Sequence, residues 1–166
     1  MDTVIVFLAS KLHVVIVITA FVIFLFSSKH QRIRLAMTIV LAAPLSYVLG
    51  KIASTLYVTE RPFAELEILP LVPHIADNGF PSEHTLYAMV IAMIIFTVHK
   101  RWGIALIVLA LMVGIGRVLA DVHNPIDIVG SVLISIGVMY ITLRILRYMK
   151  NRSLTHTCEN APNKLV

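Results

Sequence analysis

Residues 116–127 read G-R-V-L-A-D-V-H-N-P-I-D and stand between two long apolar segments. They place Arg117 six residues before His123, and Asp127 four residues after it. Because charge is costly in or near a bilayer, a cluster of ionisable residues in such a setting indicates a functional site. The three side chains suit an anion clamp, a nucleophile or base, and a carboxylate that orients an imidazole.

The composition indicates a polytopic membrane protein. The 166 residues are 58% hydrophobic and 14% charged, with a mean hydropathy of +0.90, which is far more apolar than a soluble domain. The net charge of +5 does not indicate nucleic-acid binding, because the basic residues lie in short clusters between apolar runs. The single cysteine, Cys158, excludes an internal disulfide. We expect no removable signal peptide, because residues 1–10 lack a basic region and no A-x-A site follows.

The apolar segments predict an all-α bundle of about five transmembrane helices. They cover about residues 14–26, 35–57, 85–98, 102–115 and 128–143. Lys11 and His13 interrupt the first apolar run, so residues 1–10 are expected to form a short interfacial or re-entrant piece. Residues 1–152 then form one membrane domain, and the polar residues 153–166 are expected to be a disordered cytoplasmic tail.

The charge distribution predicts the orientation. Three clusters, at 29–34, 100–101 and 144–152, hold nine of the 14 Lys and Arg residues and no acid. The connections at 58–83 and 116–127 hold seven of the nine acids. The positive-inside rule places the basic clusters and the C-terminus in the cytoplasm. It therefore places both acidic connections together on the extracytoplasmic face of the cell membrane.

Two further motifs lie in these connections. Glu60-Arg61-Pro62-Phe63 ends the second span, and the proline holds Arg61 in an extended conformation at the membrane surface. An interfacial anchor arginine explains Arg61 equally well. Phe80-Pro81-Ser82-Glu83-His84-Thr85 opens the third span, where Ser82 is a candidate N-cap at a helix start suited to anions. His84 is placed to donate a proton, although a cap followed by a surface histidine is the simpler interpretation.

Asp127 has two compatible explanations. Asn124, Pro125 and Asp127 form an N-cap, N1 and N3 series at the start of the fifth span. An N3 carboxylate also lies close to the residue before the cap, which is His123. Bonding one ring nitrogen to the carboxylate would leave the other nitrogen free to attack. Two histidines, two arginines and two helix starts are therefore expected to share one pocket.

The order and spacing of these motifs over about residues 50–130 resemble the type 2 phosphatidic acid phosphatase superfamily. Its pattern is K-x6-R-P, then P-S-G-H, then S-R-x5-H-x3-D. The versions here, with E-R-P-F, H-I-A-D at 74–77, F-P-S-E-H-T and H-N-P-I-D, are most similar to the bacitracin-resistance type of undecaprenyl-diphosphate phosphatase. The resemblance implies a helical membrane enzyme that needs no metal or cofactor and faces away from the cytoplasm.

The resemblance also implies the roles of the site residues. His123 corresponds to the nucleophile that forms a phosphohistidine, Asp127 to its orienting partner and His84 to the acid that protonates the leaving oxygen. Arg61, Ser82 and Arg117 correspond to ligands of the phosphoryl oxygens. Phosphoryl transfer is catalysed mainly by positioning and by cationic and N–H donors, so these residue types fit.

Three positions depart from the family pattern. Ser54 stands where the family has its lysine, with Lys51 one helical turn earlier and Lys11 as another possible substitute. Gly116 replaces a serine and loses a hydroxyl, and Glu83 replaces a glycine and adds negative charge. Lys51 and Glu83 are added to the phosphate-binding candidates on this basis.

Several functions remain open at this level. The leading hypothesis is hydrolysis of undecaprenyl diphosphate at the outer leaflet, and a sister hypothesis is hydrolysis of phosphatidylglycerophosphate, phosphatidate or lipid A. A metal-dependent enzyme would use His74, Asp77, His84, His123 and Asp127, although none of them shows a metal-site spacing. A small transporter or an inactive relative is the non-enzymatic alternative. The expected partners are the bilayer and a lipid phosphate, not nucleic acid.

Overall fold

The computed structural model describes the backbone of residues 1–159 and the side chains of residues 1–152. The described chain contains helices and no strands. The helices are α1 (Asp2–Ser10), α2 (Leu12–Phe26), α3 (Lys29–Leu56), α4 (Pro62–Glu65), α5 (Glu83–Phe96), α6 (Lys100–Leu119) and α7 (Pro125–Glu159). The predicted all-α class is confirmed.

The spans differ in length from those predicted. Helices α3, α6 and α7 are long and apolar enough to cross a membrane, and α1 with α2 makes a fourth candidate span that bends by 48°. Helix α5, with 14 residues, is a shorter apolar helix. The predicted five spans are therefore reached only if both α5 and the bent pair count as spans. The short N-terminal piece predicted for residues 1–10 corresponds to α1.

Helix α7 continues to Glu159 and so enters the segment predicted as a polar tail. The side chains of residues 153–159 and all of residues 160–166 lie outside the described part of the chain. The disordered tail and the domain boundary at residue 152 stay predictions.

Local sequence explains where several helices begin. Ser28 and Gln31 form a capping box at the start of α3, in which each side chain bonds the other residue's backbone N–H. Helices α4 and α7 both begin at a proline, Pro62 and Pro125, whose missing N–H is tolerated at the first helical position.

Helix α5 is the centre of the bundle. It packs against α2, α3, α6 and α7, and eight of its residues, from Thr85 to Ile95, are buried. Because protein surrounds it on several sides, its apolar sequence is explained by helix packing as well as by lipid. The outer faces of α2, α3, α6 and α7 expose large apolar side chains such as Phe21, Val40, Trp102 and Leu133, as expected for surfaces that meet lipid tails.

The connections lie at two opposite ends of the bundle. At one end, which we call the site end, the 57–82 connection meets the 120–124 connection, and the Phe63 N–H donates to the Asp121 carbonyl at 3.1 Å. At the other end, the Ser27 hydroxyl lies 2.9 Å from His99 Nε2. The basic clusters belong to this second end, where α3 and α6 begin. The fold thus separates the acidic connections from the basic clusters, and which end faces the cytoplasm stays a prediction.

Candidate active site

A pocket of about 300 Å³ opens at the site end. Helices α3, α5 and α6 and the two connections form its walls. Six predicted site residues line it: Lys51, Arg61, Glu83, His84, Arg117 and His123. The residues that were separate motifs in the sequence therefore face one cavity.

His123 is held through both ring nitrogens and is 2% exposed. Its Nδ1 lies 3.3 Å from Asp127 Oδ2, and its Nε2 lies 3.3 Å from Arg61 Nη1 and 3.3 Å from Arg117 Nη2. An ionised carboxylate only accepts hydrogen bonds, and a guanidinium only donates them. The partners therefore fix the tautomer: the proton is on Nδ1, and the lone pair of Nε2 faces the two arginines.

Asp127 makes both contacts expected from the sequence, one with the helix start and one with the imidazole. Its carboxylate is fully buried and accepts from the Thr59 hydroxyl at 2.7 Å, from the Asn124 N–H at 2.9 Å and from His123. Gly79 makes this arrangement possible, because a Cβ there would lie 2.9 Å from Asp127 Oδ2. The helix-start acid and the imidazole-orienting acid are thus the same group.

Arg61 is buried and hydrogen-bonded inside the protein, and it is not a surface anchor. It is 5% exposed, and its Nε and Nη2 lie 2.9 and 2.8 Å from Asp77 Oδ1. Its Nη1 donates to the Val122 carbonyl at 2.7 Å. These contacts leave the same Nη1 directed at His123, so the anchor interpretation is wrong.

Arg117, in the last turn of α6, is 1% exposed. Its Nη2 donates to His74 Nε2 at 3.1 Å as well as to His123, and its Nη1 lies 3.5 Å from the Ala9 carbonyl oxygen. Its Nε is buried and makes no hydrogen bond within the described residues. The guanidinium therefore keeps donor capacity for a further oxygen ligand.

The two histidines in the connections at the site end, His74 and His123, are neutral at pH 7. Burial, with the charges of Arg61 and Arg117, lowers the pKa of His74 to about 4. Burial also lowers the pKa of His123 below its ordinary value, although the hydrogen bond with Asp127 opposes the shift. Desolvation disfavours the charged imidazole in both cases. A neutral imidazole can accept from a guanidinium, as both Nε2 atoms do here.

His84 lies in the first turn of α5 and packs against a residue that sequence reasoning passed over as a candidate. The rings of His13 and His84 meet edge to face, with their centroids 4.6 Å apart and an interplanar angle of 88°. His13 Nδ1 is buried and has no hydrogen-bond partner within the described residues. The sequence marked His13 only as an interruption of the first apolar run, because nothing local connects α2 with α5.

A family model of the PAP2 superfamily matches residues 35–151, which is more than half of the chain. The chain belongs to the PAP2 superfamily. The resemblance inferred from the motifs is thereby confirmed. Helices α1 and α2, with His13, precede the part of the chain that the PAP2 model matches.

Relatives and a solved structure agree with this membership. The bacitracin transport permease protein BcrC of Bacillus licheniformis is 39% identical over 98 residues, which are 58% of this chain and 48% of that protein. The chain thus spans about half the length of this relative. The undecaprenyl-diphosphatase BcrC of Bacillus subtilis is 28% identical over 148 residues, 87% of this chain and 74% of that protein. The crystal structure of Aquifex aeolicus LpxE is similar with a TM-score of 0.66 and 28% identity, covering 86% of this chain and 83% of LpxE.

Glu83 is one of the positions that depart from the PAP2 pattern, and Lys51 lies one helical turn before another, Ser54. Lys51 Nζ lies 3.3 Å from Glu83 Oε1, and the two side chains are 57% and 58% exposed. Ser54, at the place of the PAP2 lysine, also lines the pocket, and its hydroxyl donates to the Lys51 carbonyl at 2.8 Å. Lys11 is exposed at the bend between α1 and α2 and does not line the pocket.

Ser82 differs from its prediction. It is the N-cap residue of α5 by position, but its hydroxyl makes no cap hydrogen bond and lies 3.1 Å from the Thr85 hydroxyl instead. The side chain is fully buried and does not line the pocket, and the Ser131 hydroxyl of α7 donates to the Ser82 backbone carbonyl at 3.0 Å. The predicted side-chain cap is wrong, and the structure does not bring this hydroxyl to the pocket.

The glycine at position 116, where the family pattern has a serine, has a structural explanation that the sequence did not reveal. A Cβ on this residue would lie 2.6 Å from Leu8 Cβ and 2.9 Å from the Ala9 backbone nitrogen. The absence of a side chain therefore lets α1 pack directly on α6. The same contact places the Ala9 carbonyl oxygen 3.5 Å from Arg117 Nη1.

The metal-dependent alternative has no geometric support. Among the residues with described side chains, no group of three or more His, Cys, Asp or Glu is placed to hold a metal ion. His123 and Asp127, which that alternative needs as ligands, are engaged with each other and with Thr59 and the arginines.

Sequence reasoning missed two polar residues that organise the site. Thr59 bonds Asp127, as described above. The Asn78 side chain accepts from the backbone N–H groups of Thr59 and Phe80 and donates to the carbonyls of Ser54 and Tyr57. The Asn78-Gly79 pair is a turn signal that marks this tight connection. The signal does not indicate which segments of the chain the Asn78 side chain will bond.

Proposed function

We propose that this protein is an integral-membrane lipid phosphatase that hydrolyses undecaprenyl diphosphate to undecaprenyl phosphate. The proposed site faces the extracytoplasmic side, and the proposed route passes through a phosphohistidine. One observation carries the proposal: the unprotonated Nε2 of His123 lies between two guanidinium groups while its Nδ1–H is held by a buried carboxylate. This is the arrangement of an oriented nucleophile inside an anion-binding pocket.

In the first step, His123 Nε2 attacks the terminal phosphorus. The N–P bond forms as the bond from that phosphorus to the bridging oxygen breaks, and the electron pair leaves with the lipid phosphate. His84 donates a proton to the departing oxygen. Positive charge develops on the imidazole, and Asp127 stabilises it because its carboxylate holds the Nδ1–H throughout.

In the second step, a water molecule attacks the phosphorus of the phosphohistidine. The N–P bond breaks, its electron pair returns to Nε2, and His84 accepts the proton from the water. The products are lipid phosphate, released earlier, and inorganic phosphate. His84 thus acts as acid and then as base, and the site returns to its starting protonation.

Arg61 and Arg117 supply the charge that a phosphoryl transition state requires. Its negative charge is spread over the equatorial oxygens, and both guanidinium groups are buried, where such donors act most strongly. On substrate binding, the Nη groups that donate to Nε2 in the structure turn to the phosphoryl oxygens and release the lone pair for attack.

An apolar groove supports a lipid substrate. It has a volume of about 600 Å³ and is formed by α2, α3 and α5, with side chains such as Phe21, Ile39 and Ile91. Tyr47 and Tyr87 line both this groove and the catalytic pocket. A lipid that enters sideways from the bilayer can therefore keep its tail in the groove while its diphosphate reaches His123.

The proposed orientation rests on charge. The basic clusters at one end of the bundle are expected to stay in the cytoplasm, which turns the site end outward. Labelling of single cysteines introduced at the two ends of a Cys158→Ser variant, with a reagent that does not cross membranes, tests this part of the proposal. Labelling at the end that carries the basic clusters in intact cells would overturn it.

Phosphate release from a lipid panel tests the reaction. The protein in detergent, with EDTA present, is expected to release phosphate from undecaprenyl diphosphate faster than from phosphatidate, phosphatidylglycerophosphate or lipid A. His123→Ala is expected to abolish release, and His30→Ala, at the opposite end of the bundle, is the matched control. Activity that survives in His123→Ala would refute the mechanism, and faster hydrolysis of another lipid would reassign the substrate. No release by the wild type from any of the lipids would favour the inactive relative.

A further inference from the structure

The pocket contains two separate cationic centres. The first is the buried group formed by Arg61 and Arg117 around His123. The second is Lys51, more than half exposed and paired with Glu83 at 3.3 Å. Both centres line the same cavity of about 300 Å³. A single phosphate occupies one such centre, whereas a diphosphate has a second anionic group to place.

Lys51 belongs to the side of the pocket that leads to the apolar groove. Its Nζ lies 5.9 Å from the centre of the Tyr47 ring, and Tyr47 is one of the two tyrosines that line both cavities. From the buried part of the pocket outward, the arginine pair with His123 comes first, Lys51 and Glu83 come next, and the apolar groove comes last. A lipid diphosphate has the same order: terminal phosphate, second phosphate, apolar tail.

We propose that Lys51 binds the second phosphate, the one that carries the lipid, and that Glu83 is its exchange partner when no substrate is bound. This inference rests on the proposed function. It makes Lys51 a specificity-determining residue for diphosphates over monophosphates. A monophosphate places its only anionic group at the arginine pair and gains little from Lys51.

Glu83 makes the exchange reversible. Exposed ion pairs contribute little free energy, so a phosphate with more negative charge displaces the carboxylate readily. After the terminal phosphate is transferred, the remaining lipid phosphate lies between Lys51 and a carboxylate that repels it. Glu83 then competes for Lys51 and favours release of the product.

Equilibrium binding of two ligands with the same tail tests the proposal. The probes are farnesyl methylenediphosphonate, whose P–C–P bridge is not hydrolysed, and farnesyl phosphate. The double variant Lys51→Met/Glu83→Gln removes both charges and leaves no unpaired carboxylate. We expect its affinity for the diphosphonate to fall about fivefold and its affinity for the monophosphate to change less than about twofold. Glu83→Gln alone is expected to bind the diphosphonate more tightly, because Lys51 is then free.

Lys29→Met is the matched control, since it makes the same substitution at the other end of α3, and it should bind both ligands as the wild type does. Equal changes for both ligands in the double variant, or no change for either, would overturn the proposal, as would weaker binding in Glu83→Gln. Turnover of the wild type is measured separately. If the wild type hydrolyses no lipid phosphate but its preference for the diphosphonate depends on Lys51, the phosphatase proposal fails and the second-phosphate site stands. If the wild type hydrolyses the diphosphate but its preference for the diphosphonate does not depend on Lys51, only the present inference fails.

Discussion

Replacing Asp127 by asparagine separates its structural task from the catalytic task proposed for it. Asparagine can place its carbonyl oxygen where Oδ2 accepts from Asn124 and His123, and its amide group where Oδ1 meets the Thr59 hydroxyl, which can turn to accept. All three hydrogen bonds then remain, so the start of α7 stays capped. What disappears is the negative charge next to the imidazole.

The expected loss of rate follows from the distance. At 3.3 Å between Nδ1 and Oδ2, an effective dielectric constant of about 20 gives about 5 kcal/mol for a full charge on the imidazole. With roughly half of that charge developed in the transition state, about 2.5 kcal/mol is lost, or about 70-fold in kcat. The free energy of unfolding should fall by only about 1 kcal/mol, because charged hydrogen bonds are replaced by neutral ones.

Phosphate release and thermal unfolding in the same detergent measure the two effects. For Asp127→Asn, we expect kcat to fall strongly while KM stays near the wild-type value and the melting temperature falls slightly. Asp127→Ala is the comparison, because it leaves the Asn124 N–H and the Thr59 hydroxyl without their acceptor and should lose both rate and stability. Wild-type kcat in Asp127→Asn, or a rate that follows the melting temperature in both variants, would refute the catalytic task.

Three further predictions concern the surroundings of His123, the proposed nucleophile. Since the proposed attacking form of His123 is neutral and its pKa is lowered, kcat/KM should hold below pH 6.5 and fall as the pH drops through that lowered pKa. A fall that begins above about pH 6.5 would contradict the assignment. Because His13 packs edge to face on His84, His13→Ala should lower kcat about tenfold, whereas His13→Phe should keep the wild-type kcat. Equal losses of kcat in the two variants would exclude ring packing as the cause. Gly116→Ser should lower stability by about 1–3 kcal/mol through overpacking against α1, as measured by thermal unfolding. Gly137→Ser is the control: a Cβ at Gly137 meets nothing within 4 Å, so this variant should unfold like the wild type.

The parts of the site that depend on local sequence could be predicted. The contact between His123 and Asp127 follows from their positions around one helix start, since an N3 carboxylate reaches back to the cap. The meeting of Arg61 and Arg117 follows from the charge pattern, which puts both connections at one end of the bundle. These inferences need only the geometry of a helix start and the positive-inside rule.

The parts that depend on tertiary packing could not be predicted. Thr59 reaches Asp127, and His13 reaches His84, only because α3 and α2 pack as they do, and no local pattern indicates either contact. Gly116 looked like a lost ligand, whereas it admits α1 and the Ala9 carbonyl. Ser82 looked like a side-chain cap, whereas its hydroxyl lies 3.1 Å from the Thr85 hydroxyl and makes no cap hydrogen bond.

Trapping the covalent intermediate tests the central claim most directly. The protein is mixed with undecaprenyl diphosphate labelled in its terminal phosphate, quenched in alkali within one turnover, and digested for mass spectrometry. We predict label on the peptide that contains His123, stable in alkali and lost in acid, and no label in His123→Ala. Phosphate release at the full wild-type rate without any labelled peptide, or label on a different residue, would contradict the proposed attack by His123.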